Sequence, residues 1–192
     1  MRKFGLASLA IFYYDFREDQ KKDLRGLLSS ILFQLCDQSD SYHDILSILY
    51  LSHRNGAKSP SDSELSRCLK ELLKHPGQAP VYLIIDALDE CPSTSTIPPP
   101  PREELLKLLV QLVELRLPNL RVCVTSRPET DLKAVLEPLT FRSISIHDER
   151  GQMEDIENYI RSVINTDSKS RKWKQEDKEL VINDLTKRAD GM

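Results

Sequence analysis

VYLIIDALDEC, residues 81–91, is the stretch on which the reading of this 192-residue chain turns. Val81 to Ile85 are apolar without polar alternation, the pattern of a strand buried on both faces of a parallel sheet, and the run ends in Asp86, Asp89 and Glu90. A second run of the same form, Leu120-Arg121-Val122-Cys123-Val124, ends in Thr125, Ser126 and Arg127. Between them, Glu103 to about Leu117 carries the spacing of an amphipathic helix. Strand, helix and strand make one crossover unit, which places the acidic cluster and Arg127 on the same rim of a sheet.

Working outward, Ser8 to Phe16 (SLAIFYYDF) is short, rich in β-formers and bounded by charge, so it reads as another strand. Leu24, Leu27, Leu28, Ile31, Leu32 and Leu35 then mark one buried helical face. Ser41 is positioned to cap a second helix running to about His53, and Ser61 with Glu64 has capping-box spacing for a third, which His75-Pro76-Gly77 stops. Pro98 to Pro101 predict an exposed, stiff connection. Thr130 to Glu137 predicts a short helix closed by Pro138, and Arg142 to His147 (RSISIH) an alternating strand.

The alternation predicts an α/β fold of three layers, a parallel sheet with flanking helices, over residues 1–150. Residues 151–192 form a helical extension, with Ile156, Ile160, Val163 and Ile164 on one face and Leu180, Val181 and Leu185 on the next.

Composition removes several classes. The 27 basic and 30 acidic residues leave a net charge of −3, so no polyanion is drawn to the molecule as a whole. Lys169, Arg171, Lys172 and Lys174 surround Trp173, but Glu176, Asp177 and Glu179 follow at once, which reads as a solvated face with the indole packed beneath it rather than a nucleic-acid contact. Four cysteines at 36, 68, 91 and 123 stand in no paired spacing, against a disulfide framework or a zinc knuckle, and Cys91 and Cys123 read as small apolar fillers. The apolar runs are too short for a membrane span and no signal peptide is evident, so a cytoplasmic location is expected.

The strand ends carry the chemistry. An aspartate fixed at the end of an apolar strand suits a hydrated Mg²⁺ beside a polyphosphate, which places Asp86 as metal ligand, and a following acid, Glu90 or Asp89, is placed to position an attacking water. Arg127 on the neighbouring strand has the forked geometry for a terminal phosphate. The same residues also fit a plain surface arrangement, solvated acids with Arg127 ion-paired to Asp89 or Glu90.

Residues 81–91 (VYLIIDALDEC) resemble the extended Walker B segment, and residues 121–129 (RVCVTSRPE) the sensor 1 strand, of the NACHT-type signal-transduction (STAND) NTPases. The likeness is to the fungal NLR-like receptors with nephrocystin-3-like N-terminal domains, and extends through SLAIFYYDF, LEPLTFRSISIHDE and the closing KRADGM. It implies a P-loop NTPase-like sheet and an ATP- and Mg²⁺-dependent switch that self-associates, in a parent with ankyrin or WD repeats further on. It implies further that Asp86 is the Mg²⁺-associated aspartate, Asp89 and Glu90 the acidic pair, and Arg127 the sensor arginine with Thr125 and Ser126 beside it.

The family's Walker A loop is missing: no G-x-x-x-x-G-K-[ST] occurs among the 192 residues. That loop supplies the backbone cradle and lysine for the phosphates. Its strand lies, in this family, between the sensor 1 strand and the strand at 142–147. The expectation is therefore a truncated nucleotide-binding switch module that binds little or no nucleotide by itself, with a nucleotide-free interaction scaffold or non-functional remnant as the rival. A helical adaptor unrelated to NTPases would require the strands to be misread.

Overall fold

The computed structural model describes residues 6–77, 79–96, 98–145, 152–167 and 169–189, which fall into two compact units, Met1–Thr140 and Phe141–Met192. In the first, β1 (Ser8–Tyr13), β2 (Val81–Asp86) and β3 (Leu120–Val124) form a parallel sheet in the order β1-β2-β3. Ser8 lies opposite Val81 and Tyr13 opposite Asp86, while Ile85 lies opposite Val124. The sheet excludes the helical adaptor.

The helices begin where local chemistry permits. In α1 (Leu24–Cys36) the Gly26 N–H donates to the side chain of the N-cap Asp23 at 2.8 Å, and all six residues of the predicted face are buried. The structure starts α2 (Asp40–Ser52) two residues earlier than Ser41 suggests: Ser39 is the N-cap, and its carbonyl accepts the N–H groups of Tyr42 and His43. The capping box forms in α3 (Asp62–Lys74), where the Ser61 N–H donates to Glu64 Oε2 at 2.7 Å. Pro101 supplies the first residue of α4 (Pro101–Glu114), a position where its missing N–H costs nothing. After β3, α5 (Thr130–Leu136) passes into a 3₁₀ turn at Glu137–Leu139.

One face of the sheet holds the core. Ala10, Phe12, Val81, Leu83 and Ile85 are buried with Leu27, Leu28 and Ile31 of α1, Leu69 and Leu72 of α3, Leu105 and Leu109 of α4 and Leu132 of α5. The opposite face is not covered by the described residues of this unit: Ile11 is 46%, Tyr13 48% and Tyr82 42% exposed, and Cys123 is exposed rather than a filler. This corrects the expectation of a β2 buried on both sides within three layers. The strand order runs one way across the sheet, and right-handed crossovers then put every connecting helix on the same face.

The predicted strand at 142–147 is also corrected where it can be seen. Arg142–Ser145 pair with no strand, and Phe141 and Ile144 are exposed; an alternating pattern gives one apolar edge but no ladder unless a neighbouring strand is there to pair. Ile146 and His147 lie outside the described residues, as do Asp190 to Met192.

In the second unit α6 (Gln152–Thr166) and α7 (Gln175–Ala189) pack with Ile164 and Ile182 buried. Arg161 Nη1 donates to Glu179 Oε1 at 2.6 Å and its Nη2 to Glu157 Oε1 at 2.8 Å. Ile182, not Leu180, is the deepest inward residue of α7, and Trp173 is 45% exposed rather than packed beneath the basic run. Among the described residues no helix is long and apolar enough to cross a membrane.

Candidate functional site at the strand ends

The parallel register brings the last residues of β1, β2 and β3 to one rim, where ligands of open α/β sheets bind. Asp86 ends β2 and is held from both sides. Its carbonyl accepts the Tyr14 N–H at 3.0 Å, and its carboxylate Oδ1 accepts the Thr125 hydroxyl. The Thr125 oxygen in turn accepts the Ala87 N–H at 3.1 Å, and the Thr125 carbonyl accepts the Leu88 N–H at 3.0 Å. Thr125 therefore fixes both the direction of the Asp86 carboxylate and the turn that follows.

That turn is strained. Ala87 has φ 54° and ψ 47°, the left-handed region that costs a residue with a Cβ about 1–2 kcal/mol. It bends the chain out of β2 into the 3₁₀ turn Leu88–Glu90, anchored by the fully buried Leu88. Asp89 then points to β3: its Oδ1 accepts the Arg127 N–H at 3.0 Å, and Oδ2 lies 3.5 Å from Arg127 Nε. The Asp89 side chain is 10% exposed and that of Arg127 83%, so the carboxylate is fixed while the guanidinium stands in solvent. Ser126 is exposed beside it.

The structure thus brings together Asp86 with Thr125, and Asp89 with Arg127, across the β2–β3 junction. Glu90 faces the β1 side, where its charge helps hold the Arg17 guanidinium above its ordinary pKa; the larger causes there are the hydrogen bond and charge of Asp15.

Two neighbours escaped the sequence reading. Arg17 donates through Nε and Nη2 to the two carboxylate oxygens of Asp15, at 2.9 Å each, and its N–H to Oδ1 at 3.0 Å. These bonds hold the Asp15 carboxyl down at about 2. Asp-x-Arg just past a strand was a usable signal, since a carboxylate two residues before an arginine can close such a turn.

Arg102 is the other. It is 6% exposed, and beneath the rim its Nε donates to the Cys91 carbonyl at 2.8 Å, Nη2 to the Asp89 carbonyl and Nη1 to Glu129 and Asp131. Burial opposes its charge, but the two carboxylates outweigh that and raise its pKa. A cation in the first turn of a helix opposes the helix dipole, which was the only hint in the sequence that Arg102 serves something other than α4.

Chemically, the rim offers four carboxylates, Asp15, Asp86, Asp89 and Glu90, and two forked cations, Arg17 and Arg127. Among the described residues no group of three or more His, Cys, Asp and Glu side chains is gathered to cage a metal. Mg²⁺ does not ask for one: it keeps most of its waters and takes one or two carboxylates plus phosphate oxygens, which Asp86 at a solvent-facing strand end fits. A separate cavity of 690 Å³ opens at the opposite ends of the strands, lined by Ser8, Gln38, Ser39, Tyr42 and His75 among others.

Residues 2–127 match the family model described as nephrocystin 3, N-terminal. No curated protein and no solved structure matches the chain.

Proposed function

We propose, starting from the fact that this chain belongs to the nephrocystin 3 N-terminal family, that its first unit is part of the nucleotide switch of a NACHT-like signalling receptor, a P-loop type sheet contributing the Mg²⁺ and sensor side of an ATP site. Asp86 holds the hydrated Mg²⁺, Glu90 and Asp89 place the attacking water, and Arg127, flanked by Thr125 and Ser126, reaches the terminal phosphate. The observation that carries this reading is the linkage of the two strand ends: Thr125 fixes the Asp86 carboxylate, and Asp89 fixes the Arg127 backbone N–H, so the base of the Arg127 side chain is set beside the metal side while its guanidinium stands in solvent, free to reach a phosphate.

The free edge of β3 supports it. Val81 N–H donates to Asn119 O and Thr125 N–H to Ile85 O, so the odd residues of β3 face β2 and the backbone groups of Val122 and Val124 face outward. Among the described residues nothing pairs with them, and in P-loop sheets this edge receives the strand that leads into the phosphate loop. The intact parent, with ankyrin or WD repeats, self-associates in a manner set by its nucleotide. This chain alone, having no Gly-Lys-Ser/Thr loop, binds ATP weakly or not at all.

The rival reading, a nucleotide-free scaffold, is favoured by one observation: Asp89 and Arg127 already neutralise each other. Calorimetric titration of ATP into the parent protein carrying an upstream Gly-Lys-Ser/Thr loop separates them. The switch reading expects Mg²⁺-dependent binding that Asp86→Asn weakens by about tenfold or more, the loss of a charge-assisted contact. Absence of binding by a well-folded parent decides for the scaffold.

A further inference from the structure

We infer that Arg102 is a positioning residue, which sets the acidic turn after β2 against the arginine arm after β3 by bonding both from beneath. Its role in a nucleotide site rests on the reading above; the mechanical claim does not.

The geometry is that of a strut. On one side the guanidinium grips the backbone of the turn, through the carbonyls of Asp89 and Cys91. On the other it grips Glu129 and Asp131, at the start of α5, two and four residues beyond Arg127. All three nitrogens are used, and the Arg102 side chain is 7% exposed whereas Glu129 and Asp131 are 42% and 49% exposed. The carboxylates therefore reach in from the surface to a cation that is itself fixed, rather than the reverse. The Asp89 carbonyl and Asp89 carboxylate serve different partners: the former takes Arg102, the latter takes Arg127. Displacing the turn from Arg102 consequently moves the carboxylate that orients Arg127. A lysine offers one ammonium and no planar fork, so it cannot hold both sides at once.

The test is amide hydrogen exchange by NMR on the whole chain without nucleotide, read at Leu88 and Arg127 and compared with core amides of α1 and α3. In Arg102→Lys, exchange at Leu88 and Arg127 rises on the order of tenfold over wild type while the α1 and α3 amides hold, the scale of one lost charge-assisted hydrogen bond. The Glu129→Gln/Asp131→Asn variant keeps the grip on the turn and releases the arm, so Arg127 gains exchange and Leu88 does not. A uniform rise across all amides means that Arg102 supports the fold in general, and no change at Arg127 means that it couples nothing; either overturns the inference, and the double variant decides if Arg102→Lys does not fold. Because no nucleotide enters this experiment, its failure and the failure of the ATP titration are separate results.

Discussion

Gly26→Ala is a substitution for which two physical effects point in opposite directions. Gly26 is the third residue of α1, and helix propensity alone makes alanine there better by about 1 kcal/mol. A Cβ at Gly26, however, stands 1.9 Å from the Gln20 carbonyl oxygen and 2.9 Å from its carbon, where real Cβ atoms do not come under 3.0 Å. The gap must open by about 1.1 Å, the difference between 3.0 and 1.9 Å. Both walls are backbone: α1 on one side and the 3₁₀ turn Asp19–Lys21 on the other, which the Asp15 N–H to Lys21 O bond of 3.1 Å ties to the end of β1.

No side chain can swing aside, so the cost takes the upper part of the roughly 1–3 kcal/mol seen for overpacking. After the propensity gain the net loss is about 1–2 kcal/mol, a fall in Tm of about 2–8 °C for a chain of this size. Thermal unfolding followed by circular dichroism measures it, with Ser29→Ala on the exposed side of the same helix as the propensity control. If Gly26→Ala melts at or above the wild type, the close approach of turn and helix is wrong, and with it the placement of Asp15 and Arg17 beside the site.

Three further outcomes are expected. Thr125→Val, which keeps the shape and removes the hydroxyl between Ala87 N–H and Asp86, lowers stability by only about 1 kcal/mol because water reaches the rim, while Thr125→Ser stays near wild type; urea unfolding tells them apart. At pH 8 a thiol reagent labels Cys123 alone, since burial pushes Cys91 up to about 12 and Cys36 up to about 11 and Cys68 is buried as well; labelling of more than one thiol per native chain counts against the packing of Cys91 under the turn. Glu64 is held down at about 2 by the Ser61 N–H and hydroxyl and then by His53, below its ordinary 4.5, so its contribution is present above about pH 4.5 and is lost as pH falls toward 2. Tm measured across that window falls less steeply in Glu64→Gln, and equal slopes would show that the capping box is not charge-assisted.

The helices were legible because a leucine every three or four residues has one geometric meaning, and α1 buries the very six positions the spacing named. The strands were legible as strands but not as surfaces. An apolar run such as Val81–Ile85 says that both faces tolerate burial; whether a layer covers the second face depends on the direction in which the chain winds, which no local pattern encodes. Tyr82, half in water, shows the difference.

Residues of the candidate site divide in the same way. Asp86, Asp89, Glu90 and Arg127 announced themselves by ending apolar runs. Arg102 did not, because its partners are two backbone carbonyls and two carboxylates from a segment 27 to 29 residues away, and backbone acceptors leave no mark in a sequence.

The two edges of the sheet carry the last step. At the β1 edge the side-chain amides of Gln34, in the last turns of α1, and Gln38, in the turn just after it, each take an outward pair of backbone groups: Gln34 bonds Ile11 N–H and C=O at 3.0 and 2.8 Å, Gln38 bonds Leu9 N–H and C=O at 2.9 and 2.8 Å. An amide so placed repeats the donor and acceptor of a neighbouring strand, so this edge is closed by α1 and the turn that follows it. At the β3 edge Arg121 covers only the Leu120 carbonyl, at 2.9 Å, and Val122 and Val124 have no such seal among the described residues. The β1 edge is thus closed by side chains of this unit, whereas Val122 and Val124 on the β3 edge are left open among the described residues. That open edge lies beside Thr125 and Arg127, the side on which the proposed reading places the phosphate loop, so backbone groups that take no part in the strand-end chemistry favour the same proposed site.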